Sequence, residues 1–440
     1  MFLGKRMLMR KRVYTALAVI IAAAGCSDAG SEDRNTVEVV DSAGIELVRN
    51  QYRGFDTLAV TMVEDLRIGT LDGDERYQFF RIGGINVDAM GRILVANDGT
   101  STIRVYDSQG RYVREIGKKG DGPGEFRSVT TPIVWRDTIA VSDQEAMRFS
   151  LFDTAGTFLT SWPMLTAERR ALFPVGASEA GWAVWIMPFG VAGPERRPGE
   201  VTMDTTRVGR MDAPSLISAA QRGAAFVDSV VHSVLFWESA PVTWMQGDEG
   251  VVGFTPLFAQ NRWWAVGGTG KFYLSAGPAY QIDIFGLDGR LERRISRDFD
   301  VIPVTDALVD EYLDRLQEAT LTLPPSAFDR VGSARRRAGA TRSAYLPPTR
   351  RIFVSNAGEL WVERLDVQRD ISNWESVPGV TPPHYYYDVF AADGRYEFTV
   401  KPPERFVPRW IGKDVVLGIQ RDEQDVEYVA RYRLVSDSPR

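Results

Sequence analysis

The chain has 440 residues, 44% hydrophobic, 25% charged and 11% aromatic, enough core material to exclude disordered and collagen-like chains. One cysteine excludes a disulfide framework and any multi-thiolate zinc or iron–sulfur site, and two histidines, His232 and His384, leave little for imidazole-rich metal centres. With 52 basic against 58 acidic residues, the net charge of −6 gives no general electrostatic reason to bind nucleic acid or anionic lipid.

At the start of the chain Lys5, Arg6, Arg10, Lys11 and Arg12 precede an apolar run over 13–25 that ends at Cys26. That run is too short for a hydrocarbon layer about 30 Å thick, which needs roughly 20 apolar residues. A basic head, a short apolar body and small residues before a break predict a secretory signal. Ala23-Ala-Gly-Cys26 resembles the lipobox of bacterial lipoproteins, with Ala23 where that family prefers Leu. The resemblance implies that the Cys26 thiol carries a diacylglyceryl group and becomes the mature N-terminus; a plain signal peptide with a chance cysteine is the alternative. Cleavage takes five of the 52 cations and no anion, leaving 47 against 58 and a net −11. Residues 26–36 are small and polar, suited to a flexible tether. No later segment reaches 18 consecutive apolar residues, so the expected membrane contact is the lipid anchor alone. By the same resemblance, Ser27 rather than Asp after the cysteine implies the outer membrane as destination, on its periplasmic or surface side.

Beyond the tether one cassette recurs: Ile103-Arg-Val-Tyr-Asp-Ser-Gln-Gly110 with its continuation to Ile116, then Phe149 to Trp162, Ile282 to Ile295 and Tyr387 to Val400. Each is two alternating runs joined by a short turn ending in glycine, the pattern of a β-hairpin. The glycine supplies a positive φ, and the neighbouring Asp or Ser can bond the turn backbone. Val39 to Val48 is a further copy, and 208–215 a weaker one without the glycine. Upstream of the strong copies lie the short apolar runs Ile93–Ala96, Thr138–Val141, Phe272–Leu274 and Leu360–Val362. Gly110 and Gly156 stand 46 residues apart, close to the length of a four-stranded propeller blade.

At Gly117-Lys-Lys-Gly-Asp-Gly-Pro-Gly-Glu-Phe126, Asp137 to Asp143 and Phe149 to Gly156 the sequence resembles the NHL-type six-bladed β-propellers, and more closely the bacterial six-bladed propeller lipoproteins. The resemblance is strong over 78–162, fair over 263–296 and 350–434, and poor over 163–262. It implies an all-β, six-bladed propeller with a short helical insertion; seven blades is the alternative. The expected organisation is a signal over 1–25, a tether over 26–36 and a propeller over 37–435. Setting aside irregular stretches at 186–206, 220–262, 297–347 and 364–384 leaves about 44 residues per blade. Closure is expected from Ile45–Val48 joining strands at 415–418 and 426–434.

In a blade whose strands run outward from first to fourth, connections 1–2 and 3–4 lie at one face, and connections 2–3 and blade-to-blade crossovers at the other. The four stretches are expected as 2–3 loops (186–206, 364–384) and crossovers (220–262, 297–347), all on one face, where a partner would be met. Thr305 to Ala319 reads as a helix with Thr305 as N-cap, and Leu308, Tyr312 and Leu316 share a face expected to pack onto the propeller mouth. His232, Trp237, Trp244, Trp374, His384 and Tyr385 are the ligand-face candidates, since aromatics there stack on sugars or bind a partner, or else fill the loops' own small cores.

Residues that carry chemistry in other folds do not form sets here. Ala265 to Phe272 superficially resembles a phosphate loop, but Ala265 stands where glycine is needed, Phe272 replaces the Ser/Thr, and a strand follows instead of a helix. Neither a G-x-S-x-G elbow nor H-E-x-x-H occurs. Asp228 or Asp388 could orient a histidine, while Asp72-Gly-Asp-Glu75 and Asp422-Glu-Gln-Asp425 lack a full calcium-loop signature and read as solvated turns. No catalytic residue, metal ligand or cofactor is assigned. The expectation is a lipid-anchored, non-enzymatic recognition or scaffold propeller that binds a protein, peptide or glycan and no nucleic acid. The alternative is a channel-site enzyme of the lactonase, lyase or hydrolase kind.

Overall fold

The four strong cassettes fold into one geometry. The computed structural model describes residues 36–51, 60–165, 170–178, 181–188, 197, 200–202, 205–211, 231–238, 242–247, 250–259, 263–275, 277–286, 288–320, 332, 334–335, 337–339, 342–365 and 385–436. Each cassette is an antiparallel pair whose register slips by one residue just before the turn, the bulge that accompanies a turn closing on a left-handed residue. Gly110, Gly156, Gly289 and Gly394 supply that residue, with φ between 79° and 87°. Asp107 shows how the turn is held: its Oδ1 accepts the N–H groups of Gln109 and Arg111, both at 2.9 Å. Glycine is required for a second reason. A Cβ on Gly156 would stand 3.0 Å from Ile116, and one on Gly394 2.8 Å from Ile295, each on the outer strand of the preceding sheet.

Two further strands ahead of each cassette complete antiparallel four-stranded sheets. Blade 1 comprises Ile82–Val87, Ile93–Asn97, Thr102–Tyr106 and Tyr112–Ile116; blade 2 comprises Ile133–Trp135, Thr138–Asp143, Arg148–Asp153 and Phe158–Pro163. Blade 3 is Arg170–Ser178, Gly181–Pro188, Thr205–Met211 and Val231–Glu238; blade 4 is Trp264–Val266, Phe272–Ser275, Gln281–Phe285 and Leu291–Arg297. Blade 5 is Ile352–Val354, Leu360–Leu365, Tyr385–Phe390 and Tyr396–Val400. Blade 6 takes Phe406–Ile411, Val415–Arg421 and Glu427–Ser436 from the C-terminal part and Val60–Ile68 from the N-terminal part. The six first strands touch in a ring, the sixth lying beside the first. The fold is a six-bladed β-propeller.

Three expectations are corrected. The closing strand is Val60–Ile68, paired with Glu427–Ser436, and not Ile45–Val48. The Val39–Val48 copy does form a hairpin, with Ala43 and Gly44 both at positive φ. However, its second strand, Ile45–Gln51, lies parallel to Leu291–Arg297 and extends blade 4 to six strands. Asn50 fixes the hairpin there: its amide donates to the carbonyls of Gly394 (3.1 Å) and Ser296 (3.2 Å), and its Oδ1 accepts Tyr396 N–H at 2.8 Å. Secondly, the 220–262 stretch is not all insertion, because Val231–Glu238 is the outer strand of blade 3. The rest includes the hairpin Val242–Gly247 with Gly250–Phe254, whose first strand pairs with Val201–Thr202 from the 2–3 loop of the same blade.

Thirdly, the helix Asp306–Thr320 builds a core of its own. Thr305 Oγ1 accepts Leu308 N–H at 3.2 Å, as an N-cap should. Val309, Tyr312 and Leu316 are buried against Leu257, Phe258, Val304 and Leu346, all from the crossovers. Tyr312 meets Phe258 edge to face at 5.1 Å. The 364–384 stretch lies outside the described residues except for Arg364 and Leu365, which end a strand.

Apolar clusters fill the spaces between blades, as between blades 1 and 2, where Leu94, Ile103, Ile116, Phe126, Ile139 and Phe152 pack together. Burial of each such side chain contributes about 1.5–3 kcal/mol before entropy is counted. A buried polar residue at the end of the second strand pins the chain entering the blade. Asn97 Oδ1 accepts Phe80 N–H at 2.8 Å, Asp143 accepts Arg127 N–H at 2.9 Å, and Ser275 Oγ accepts Trp263 N–H at 2.7 Å.

Candidate functional site

The ring of first strands encloses a cavity of about 660 Å³ to which all six blades contribute. Ile85, Asn86 and Val87 come from blade 1, Ile133 and Val134 from blade 2, Phe173 and Val175 from blade 3, Val266 from blade 4, Val354 from blade 5, and Arg409 and Trp410 from blade 6. Asp88, Arg136, Gly267, Gly268 and Asn356 bring the cavity to the turns between first and second strands, the face opposite the 2–3 loops and crossovers. Thr130, Thr131, Ser142 and Gln144 extend the wall of blade 2 toward the other end. A second cavity of about 330 Å³ lies between the first strands of blades 3 to 6 and shares Val175, Val266, Val354, Asn356, Arg409 and Trp410 with the first. None of the helix residues lines either cavity.

Glycines let the wall close up. A Cβ on Gly84 would fall 2.0 Å from Thr131 Oγ1, and one on Gly268 would fall 3.1 Å from Asn356. Three first strands are also irregular: the register slips at Gly83 in blade 1, at Val175 in blade 3 and at Arg409 in blade 6. A bulge leaves one residue out of the ladder and re-aims its side chain. At Arg409 the residue left out is an arginine.

The polar groups of the wall divide by whether they are already engaged. Asn86 donates to the Pro132 carbonyl at 2.9 Å and accepts Val87 N–H at 2.8 Å. Asp88 accepts the Met90 and Arg92 N–H groups, both at 2.9 Å, and Arg92 Nε at 2.6 Å. Its carboxylate is thus spent on its own turn. Arg136 is exposed in a turn at φ 50°, its guanidinium 4.6 Å from the Trp135 ring centroid. Arg409 receives no hydrogen bond or ion pair among the described residues. Burial, then the charges of Arg351 and Arg421, press its pKa below the ordinary arginine value.

Two fully buried carboxylates of blade 5 make a contrast, Asp388 on the side of blade 4 and Glu363 on the side of blade 6. Asp388 accepts Arg364 Nη2 at 2.8 Å, Thr399 Oγ1 at 2.6 Å and the Tyr280 hydroxyl at 2.7 Å, and is paired with Arg297 as well. Burial alone would raise its pKa, but the charges of Arg364 and Arg297 and the hydrogen bonds from Arg364 and Thr399 outweigh it and keep the carboxyl below its ordinary value. Glu363 pairs with Arg351 at 3.0 Å and accepts the Tyr387 hydroxyl at 2.8 Å. Asp388 is thus engaged by Arg297, Arg364, Tyr280 and Thr399 and is not free to orient a histidine.

The ligand-face candidates are dispersed. His232 and Trp237 occupy register positions opposite Arg210 and Thr206 on the outer strand of blade 3, with His232 near the end that adjoins the 3–4 connection. Trp244 lies opposite Gly253 in the added hairpin. Trp374, His384 and Cys26 lie outside the described residues. Tyr385 is buried in the core between blades 5 and 6, with the Arg350 guanidinium 5.2 Å from its ring centroid. Of the turn motifs, Gly267 to Gly270 joins the first two strands of blade 4, and Asp422 accepts the N–H groups of Gln424 and Val426 in a tight turn. Among the described residues no group of three or more His, Cys, Asp and Glu stands close enough to share a metal ion. Sequence reasoning missed Asn86, Asn356 and Arg409; their only signal was a polar residue in or beside an apolar first strand.

Comparison with a family model agrees on the fold. Residues 60–163 match the family model described as "6-bladed beta-propeller". No curated protein matches the chain. Among solved structures, a protein described as exported from Bacteroides fragilis is similar at 12% identity, covering 89% of this chain and 100% of its own, with a TM-score of 0.47. A member of the DUF4221 family from Bacteroides vulgatus is similar at 10% identity over 86% of this chain and 98% of its own, TM-score 0.49. Virginiamycin B lyase from Staphylococcus aureus is similar at 10% identity over 86% of this chain and 100% of its own, TM-score 0.40. Among the described residues no helix is long and apolar enough to cross a membrane.

Proposed function

We propose that this protein is an exported, lipid-anchored recognition propeller, of the NHL-like bacterial kind, whose central cavity receives its ligand. The observation that carries the reading is the cavity itself, about 660 Å³ with a wall drawn from all six blades. That volume is typical of small-molecule sites and would also take the end of a peptide or glycan. Its polar groups are amides, hydroxyls and guanidinium groups, which bind without titrating near neutral pH, beside a single carboxylate engaged in its own turn. Placing the site in the cavity moves it from the insertion-bearing face to the axis of the ring.

The test is a glycan and peptide array followed by calorimetry on wild type and Ala89→Trp. Ala89 is exposed in the turn at the cavity mouth, so an indole there obstructs entry without entering a core. The expected outcome is a hit that Ala89→Trp weakens at least about tenfold, or about 1.4 kcal/mol, and that is recovered chemically unchanged. A hit indifferent to Ala89→Trp would return the site to the insertion face; turnover would favour the enzyme reading. Lipidation is checked separately, by metabolic labelling with a fatty-acid analogue. Wild type is expected in the membrane fraction with label, and Cys26→Ala without it.

A further inference from the structure

We propose that the central cavity is an oxyanion-binding site in which the Arg409 guanidinium takes a carboxylate or phosphate group of the ligand. This rests on the reading of the cavity as the binding site and adds the chemical class of what binds. Three observations converge on it. First, Arg409 is the residue squeezed out of the ladder between Pro408, opposite Gly418, and Trp410, opposite Leu417. It lines both cavities. An inner strand of a propeller is otherwise a place for residues that pack.

Second, the carboxylates that could have neutralised it are committed elsewhere. Its cationic neighbours Arg351 and Arg421 pair with Glu363 at 3.0 Å and with Glu427 at 2.6 Å. Glu427 also accepts Ile82 N–H at 2.5 Å. Among the described residues nothing completes the Arg409 guanidinium, whereas Arg351 and Arg421 each hold a carboxylate. A half-buried cation facing two like charges costs the fold stability unless an anion joins it. The lowered pKa reports the same imbalance.

Third, the wall holds no spare carboxylate to meet it. Asp88, the one carboxylate among the lining residues, is paired with Arg92 at 2.6 Å. A planar guanidinium with its fork unoccupied matches carboxylate and phosphate geometry through two parallel hydrogen bonds. Asn356, which also lines both cavities, is placed to accept or donate to the rest of such a ligand.

The experiment is calorimetric titration of the full chain with matched pairs: benzoate against benzamide, glucuronate against glucuronamide, glucose 6-phosphate against glucose, and inorganic phosphate alone. The carboxylate and phosphate arms show which oxyanion is preferred. At least one anion is expected to bind about tenfold or more tightly than its neutral partner, with affinity falling as salt rises. In Arg409→Gln that preference should fall below about threefold, and in Arg409→Lys it should be partly restored, since lysine keeps the charge without the fork. Gln leaves no partner orphaned and removes an uncompensated charge, so a melting temperature equal to or above that of the wild type is expected and confirms that the variant is folded. Neutral members binding as well as anions, an anion preference surviving in Arg409→Gln, or no anion binding would each overturn the proposal. If neutral and charged members bind alike and both are lost in Ala89→Trp, the cavity reading stands and only the anion assignment falls. If nothing that binds responds to Ala89→Trp, both fall.

Discussion

Two blade interfaces of this propeller are made from the same cassette by different chemistry. Between blades 1 and 2 the shared space is hydrocarbon, with Leu94, Ile103, Ile116, Phe126 and Phe152 buried together, and the crossover that joins the blades is short. Between blades 4 and 5 an apolar cluster around Ile282, Ile284 and Phe390 is joined by Asp388 with its two arginines, by the N-terminal hairpin and by a crossover carrying a helix. The difference teaches where each kind of interface draws its specificity. Apolar packing tolerates many partners of suitable volume, whereas a buried carboxylate is stable only if every lone pair is met.

The largest test of that contrast is Asp388→Asn. It leaves Arg297 and Arg364 buried with a neutral amide, and the expected loss is about 3–5 kcal/mol in urea denaturation. A loss below about 1 kcal/mol would mean that the ionic interface is no more demanding than the apolar one. The same carboxylate sets a pH dependence. Its folded pKa lies below its unfolded value, so the unfolded chain takes up the proton first as the solution is acidified. Stability is then full above the unfolded value, near pH 4, and is lost as pH falls through the folded one. Urea midpoints should be flat from about pH 7 to 5 and decline below about 4, with a shallower decline in Asp388→Asn.

Smaller effects test the apolar side and the crossover. Gly156→Ala forces a side chain into φ 85° and to 3.0 Å from Ile116 across the blade 1–2 interface. The expected cost is about 1–2 kcal/mol, read as a lower urea midpoint; no change would show that the turns do not register the blades. Thr305→Ala removes the cap from the crossover helix and should cost that segment about 1 kcal/mol. Because the helix has its own core, amide exchange should quicken over 306–320 while the blades 1 and 2 keep their protection.

Much of this architecture was legible in the residues. The alternating runs and the turns closing on Gly110, Gly156, Gly289 and Gly394 specified the hairpins, because positive φ at glycine and period-two burial are local properties, and the 46 residues from Gly110 to Gly156 matched the length of a blade. The Thr305 cap was readable for the same reason. The closing strand was not. Val39 to Val48 and Val60–Ile68 are both strands at the N-terminal end, and either could complete a blade edge. Asn50, buried against Gly394 and Tyr396, and Glu46, paired with Arg293, decide the hairpin's place through contacts with residues more than 240 positions away. Val231–Glu238 was hidden because its blade lacks the glycine cassette that marks the others.

What the sequence by itself determined is the repeat, its turns and the all-β class, since each follows from backbone preference and the burial of alternate side chains within a few residues. Tertiary structure alone decided which strand closes the ring, which carboxylates are spent on which arginines, and that a bulge turns Arg409 toward the axis. Those outcomes depend on distances between blades, and a charge reveals whether it is satisfied only when every neighbour has been brought into place.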